Sequence, residues 1–135
     1  MTRKGLPNIS TVIRGKKVLD PTSIAADQIV SGKRYRIVTA GDTDFTAIGA
    51  TANTVGTVFN ATGTTSGSGT VFIIEWSQNP ALCIYDYLRD TKYGLGETES
   101  NILTSSVTTA KGVSNQSINL SGTGTQVRYT IDGVV

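Results

Sequence analysis

The 135-residue chain contains no histidine, a single cysteine and a single tryptophan, and only 16% of its residues are charged. Without histidine, a Ser-His-Asp triad, a Cys-His pair and every histidine metal site are excluded by composition. Cys83 stands alone, so neither an intrachain disulfide nor a cysteine-based zinc cluster can form. No apolar run approaches the ~20 residues that span a bilayer as a helix. The opening "MTRKGLPNIS" is basic, but no apolar stretch follows it, so it does not read as a secretory signal.

The charge is unevenly spread. Residues 1–36 hold eight basic side chains against Asp20 and Asp27, whereas the remainder holds four basic and eight acidic groups. Such a front end suits a solvated face against an acidic neighbour in an assembly. Nucleic acid is not expected, because no stacking aromatics are interleaved with the positive charges.

The order of local signals suggests an α+β fold. "ISTVIRGKKVLD", residues 9–20, reads as a hairpin turning at Gly15, with Pro21 stopping its second strand. From residue 25 to 70, Thr and Gly recur at nearly every other position. Short β-friendly pieces (Tyr35–Thr39, Phe45–Ile48 and Thr54–Phe59) alternate there with turn signals. "TGTTSGSG" lacks the Lys-Ser/Thr that completes a phosphate loop, and reads as a mobile hairpin tip. "VFIIEW", residues 71–76, reads as a strand buried on both faces.

The clearest helix follows. Asn79 is a good N-cap and Pro80 suits the first helical position. Ala81, Ile84, Tyr85 and Leu88 form one apolar stripe, which Cys83 and Tyr87 flank; Asp86, Arg89 and Asp90 face out. Gly94 and Gly96 end the element, and Leu95 between them is placed to fold back. A weaker helix is expected over Ser106–Asn115, with Val107, Ala110 and Val113 on one face. Val127, Tyr129 and Ile131 alternate with polar residues as a half-buried strand, followed by a turn at Asp132-Gly133. Ending at such a turn suggests a fragment of a longer protein.

None of the candidate chemistry outweighs an ordinary structural role. Asp42 and Asp44 lack the further oxygens of a calcium loop and read as turn residues bonded to their own backbone. Asp86, Asp90, Glu97 and Glu99 could supply paired carboxylates, but they read as exposed edges. Cys83 reads as a buried, inert thiol. Trp76, Tyr35, Tyr87 and Tyr93 suit packing better than a sugar platform. The chain is therefore read as a non-enzyme without metal or cofactor.

Three segments carry a resemblance: "GLPNISTVIRGKKVLDP" (5–21), "WSQNPALCIYDYLRDTKYGLG" (76–96) and "RYTIDGVV" (128–135). Together they are similar to the central tail-tip proteins of long non-contractile-tailed bacteriophages, the lambda-type host-specificity protein J family. Residues 29–70, with "TDFTAIGA" and "NTVGTVFNATG", resemble a β-module inserted in many phage virion proteins. The Ser105–Asn115 stretch departs from the family's helix, and the family protein is far longer.

The resemblance implies a tail-hub scaffold made of residues 1–24 and 71–135, a hairpin, strand and helix cored by Trp76, Pro80, Ile84, Tyr85, Leu88, Tyr93 and Leu95. An inserted small all-β domain, barrel- or sandwich-like, would occupy 25–70. It further implies a virion protein of the tail tip, made in the host cytoplasm, that serves tail assembly and host attachment as a homotrimer with other tail proteins. The other reading is a carbohydrate-binding module whose insert touches host surface glycans through Tyr35, Phe45 and Asn53.

Overall fold

The computed structural model describes residues 15–122 and 124–131. The first strand of the expected hairpin (9–14) and the Asp132-Gly133 turn lie outside them. The described residues form an α+β fold: a four-stranded antiparallel sheet, two helices and a two-stranded ribbon.

The sheet is built from β1 (Val18–Ala25), β2 (Arg34–Thr39), β3 (Val58–Asn60) and β4 (Thr70–Glu75), in the spatial order β1-β4-β2-β3. In β2 the alternation of Arg34, Tyr35, Arg36 and Ile37 puts the two arginines on one face and Tyr35 and Ile37 on the other. Tyr35 is opposite Phe59 on β3 and Ile73 on β4, and Ile37 is opposite Val71. That face carries the main core, where Ala26, Ile29, Phe45, Ile48, Ala50 and Ala61 join the strand residues. The rings of Phe45 and Phe59 lie 5.8 Å apart at 50°, and those of Tyr35 and Phe59 6.1 Å apart at 37°, within the range of favourable tilted pairs. The one polar atom of Tyr35 is satisfied, since its hydroxyl accepts from the Val30 N–H at 3.0 Å.

Several local expectations are corrected. Pro21 does not stop a strand: β1 runs through it to Ala25, with an irregularity in the ladder between Leu19 and Ser23. A proline without an N–H is tolerated where the ladder is already broken. Phe45–Ile48 is not a strand. Thr46–Ile48 forms a 3₁₀ turn, closed at Gly49 with φ of 105°. The backbone N–H groups of Phe45 and Thr46 are taken by the Asn53 carboxamide oxygen at 2.8 and 3.2 Å, so no neighbouring strand can bond them. Thr54–Thr57 forms a turn rather than a strand, and pairing begins at Val58.

The glycine-rich 62–69 loop is anchored, not a free tip. The Asp42 carboxylate accepts from the Ser68 N–H at 2.6 Å and its hydroxyl at 2.7 Å, and the Gly69 N–H donates to Thr43 Oγ1 at 2.9 Å. A Cβ on Gly69 would sit 2.6 Å from the Ala40 carbonyl oxygen and 2.8 Å from the Phe45 ring. Only glycine allows that approach.

β4 is central, as expected of "VFIIEW", but only Val71 is fully buried while Phe72, Ile73 and Ile74 are half-buried. The helices α1 (Pro80–Arg89) and α2 (Thr104–Ser114) pack on each other and on β1. The ribbon of β5 (Ser117–Asn119) and β6 (Thr125–Val127) follows. The expected half-buried strand over 127–131 does not form: β6 ends at Val127, residues 127–131 are exposed, and the Tyr129 and Ile131 N–H groups bond the carbonyls of Ser114 and Gln78.

Candidate interaction surface

Helix α1 starts as its sequence dictates. The Asn79 side chain accepts from the Ala81 N–H at 3.0 Å, and Pro80 occupies the first turn. The Asn79 amide also donates to the Lys111 carbonyl at 3.1 Å and to Asn115 Oδ1 at 2.8 Å, tying the start of α1 to the end of α2. At the other end, the Asp90 carboxylate accepts from the Lys92 and Tyr93 N–H groups. The chain then folds back, with the Leu95 N–H donating to the Tyr87 carbonyl at 3.1 Å. A Cβ on Gly94 would lie only 1.8 Å from that carbonyl oxygen, so the turn at "YGLG" requires glycine there.

The helix buries a different face from the expected stripe. Leu82 and Tyr85 are the buried residues of α1. Of the expected core set, Tyr85 is buried at 1% exposure, and Pro80 and Leu88 are half-buried. Trp76 is 38% exposed, Ile84 58%, Tyr93 76% and Leu95 63%. Tyr87 joins them at 53%, three residues after Ile84 and so on its side of the helix. Leu95 returns only its backbone to the helix. In α2, Ala110 and Val113 are exposed as well, and Ser114 is the buried residue.

A polar network explains the rotation. The Arg89 guanidinium lies 5.1 Å over the Tyr85 ring and pairs with Glu99 at 2.7 Å. Glu99 also accepts from both terminal nitrogens of Arg36, at 2.6 and 3.0 Å, and Arg36 lies 5.4 Å over the Phe72 ring. Turning α1 to bury Ile84 would pull Arg89 and Tyr85 off this network. Charge-assisted bonds of this kind are worth about 1.5–3 kcal/mol each, comparable to burying one isoleucine. The Arg36 hydrogen bonds hold the Glu99 carboxyl below its usual range against the pull of burial, and Arg89 adds to the effect. Burial pushes the Tyr85 hydroxyl up, and the Glu99 charge reinforces that. The Arg89 Nε is buried with no hydrogen-bond partner among the described residues.

Three further ion pairs, made by two lysines, fasten the helical part. Lys16 bridges Asp86 at 3.1 Å and Asp90 at 2.7 Å. The Lys16 bond, with the Tyr93 and Lys92 N–H groups, holds Asp90 far below the usual carboxylate range, and the same bond raises Lys16. Lys111 pairs with the buried Asp20 and also donates to Thr22 Oγ1 at 3.0 Å, joining α2 to β1.

The other candidate residues fall into structural places. Tyr35 and Phe45 are 1% and 0% exposed, so neither ring can meet a surface glycan. Asn53 is exposed, but its amide caps the 45–46 turn and donates to Asp44 at 3.1 Å. Asp42 and Asp44 accept from Ser68, and from Thr46 and Asn53, which holds both carboxyls low. No cluster of metal-binding residues occurs among the described residues. Asp90 and Glu99 are shifted in the direction opposite to that of a general acid, and Glu97 accepts from Asn101 at 3.0 Å. Burial raises the half-buried Cys83 thiol, with Asp86 adding to it. No helix of the described residues is long and apolar enough to cross a membrane.

What stands out is the exposure of four large apolar side chains on α1 and its capping turn, Ile84, Tyr87, Tyr93 and Leu95. The sequence reading expected Ile84, Tyr93 and Leu95 in the scaffold core and Tyr87 beside the apolar stripe, whereas all four are exposed. Comparison with protein-family models, curated proteins and solved structures yields no match.

Proposed function

We propose that the chain is a structural component of a bacteriophage tail tip or hub that serves tail assembly and host attachment. The observation carrying this reading is the exposure of large apolar side chains on the helical half among the described residues. Ile84, Tyr87, Tyr93 and Leu95 lie within twelve residues of sequence, all more than half exposed. A side chain of that size gains about 1.5–3 kcal/mol on full burial, so a subunit contact there is favourable and continued exposure is not. The order of the "GKKVLDP", "WSQNPA…YDYL", "YGLG" and "YTIDG" motifs is the resemblance on which the family part of the proposal rests.

Residues 25–70 are an insert in this reading, between scaffold segments 1–24 and 71–135. Two features favour it. Ala25 and Thr70 are register partners on adjacent strands, so the two ends of the segment meet and its excision leaves a short gap to close. Nearly all of the main core cluster also falls within the segment. The flanking strands β1 and β4 share its sheet, which gives a 46-residue piece the support its small core needs.

Assembly is tested by the mass of the purified chain in solution across a concentration series. A concentration-dependent trimer supports the reading. A chain that stays monomeric throughout counts against a subunit contact on this surface.

A further inference from the structure

Alternation along β2 sends Arg34 and Arg36 to the face of the sheet opposite the main core. Arg34 and Leu19 both pair with Ile74 of β4 in the ladder, and directly opposed strand residues project to the same face. The three side chains therefore form one row across the sheet, with Arg34 at one end and Leu19 at the other. Lys17, two residues before Leu19, lines the same cleft, which α1 borders through Asp86 and Arg89. The cleft has a volume of about 630 Å³, within the usual small-molecule range of about 300–1,000 Å³.

Its lining holds five basic side chains and one acidic one, Asp86. Three of the five are committed: Lys16 to Asp86 and Asp90, and Arg36 and Arg89 to Glu99. Lys17 and Arg34 are exposed, and their side chains enter no hydrogen bond or ion pair among the described residues. Like charges gathered in one concavity raise the local concentration of anions. Leu19, Val58 and Ile74 supply an apolar part of the lining. We infer that this cleft binds a phosphate monoester carrying a compact apolar group.

The ligand class follows from what the lining offers and what it lacks. A phosphate monoester carries a charge of about −1.5 to −2 near neutral pH and three acceptor oxygens. It can therefore engage an ammonium and a guanidinium fork together, whereas a carboxylate brings one charge and two oxygens. No hydroxyl or carboxamide side chain lines the cleft. The N–H of Gly56, its one glycine, is taken by the Ile37 carbonyl at 2.8 Å, so the hydroxyls of a sugar find no neutral partner. No aromatic ring lines it either, which leaves a nucleic-acid base without a stacking platform. An apolar body instead covers Leu19, Val58 and Ile74 and removes them from water. The committed ion pairs already hold Lys16, Arg36 and Arg89, so binding orders few side chains beyond Lys17 and Arg34.

The test is calorimetric titration of the 135-residue chain with phenyl phosphate and hexyl phosphate, an aryl and an alkyl body on the same group. Inorganic phosphate and benzoate are the comparators. The expected result is saturable binding of at least one monoester, with a dissociation constant at or below about 1 mM. The tighter of the two identifies the body that the apolar lining accepts. Each comparator should bind at least about tenfold more weakly, for want of the apolar group or of the second charge. The double variant Lys17→Gln, Arg34→Gln should lose at least about tenfold in affinity. Both side chains are exposed, and circular dichroism verifies that the variant is folded. Lys92→Gln, which removes a positive charge outside the cleft, should titrate as the parent does. The inference is overturned if neither monoester binds saturably, if binding survives the double variant, or if benzoate or inorganic phosphate binds as tightly. None of Ile84, Tyr87, Tyr93 and Leu95 lines this cleft, so a failed titration leaves the assembly reading untouched.

Discussion

Residues 18–75 and residues 76–131 are built to different standards of closure. Among the described residues, twelve of the fourteen buried apolar side chains belong to the first region and only Leu82 and Tyr85 to the second. The exposed large apolar side chains are distributed the other way, three in the first region and eleven in the second. The sheet region satisfies itself: apolar rings face inward, polar turns are cross-braced, and glycines allow the loops to close. The helical region is held by ion pairs and caps, and leaves its apolar side chains outside. The first region closes on its own core, whereas the second combines polar fastening with an apolar exterior, which is the exterior the proposed subunit contact would use.

This contrast is sharpened most by removing a core ring. Phe45→Ala should cost about 3–5 kcal/mol, read as a drop in urea midpoint, because Phe45 is fully buried against Phe59. A loss below 1 kcal/mol would mean that the sheet region is not closed as described.

Next comes the joint between the helices. Asn79→Ala removes the cap of α1 and both bonds to α2, and should cost about 1–2 kcal/mol. Glu99→Gln weakens the Arg36 and Arg89 pairing and should cost about 1 kcal/mol, since the carboxylate is 40% exposed and partly screened.

Acid should act through the same carboxylates. Glu99 and Asp90 have folded-state pKa values below their unfolded ones. They bind protons less tightly when folded, so their stabilisation is complete above the unfolded values and is lost as pH falls through the folded ones. The melting temperature should be flat with respect to these groups above about pH 5 and fall below about pH 4. Glu99→Gln should reduce that fall, and an unchanged acid profile in the variant would remove Glu99 from the account.

The parts of this design that are local in sequence were legible. The Asn79-Pro80 start, the glycine cap at "YGLG" and the β-friendly piece Tyr35–Thr39 each depend on neighbours within a few residues. The parts set by distant partners were not. The 45–48 segment has strand-like composition, yet Asn53 claims its N–H groups from eight residues away. Pro21 sits where the ladder is broken, which only the pairing with β4 reveals. On α1, the stripes through Ile84 and through Leu82 both include Tyr85, and apolar spacing does not separate them. The deciding contact is Arg89 with Glu99, ten residues on and next to a strand residue, Arg36.

The smallest expected effect on folding belongs to the residues proposed for the subunit contact. In the double variant Ile84→Ser, Tyr87→Ser, stability should change by less than about 0.5 kcal/mol per site, as at other exposed positions. The decisive measurement is light scattering on this variant and its parent across one concentration series. The account predicts that the parent associates towards a trimer as concentration rises, and that the variant stays monomeric over the same range. Equal association of the two chains, or a parent that remains monomeric throughout, would contradict it.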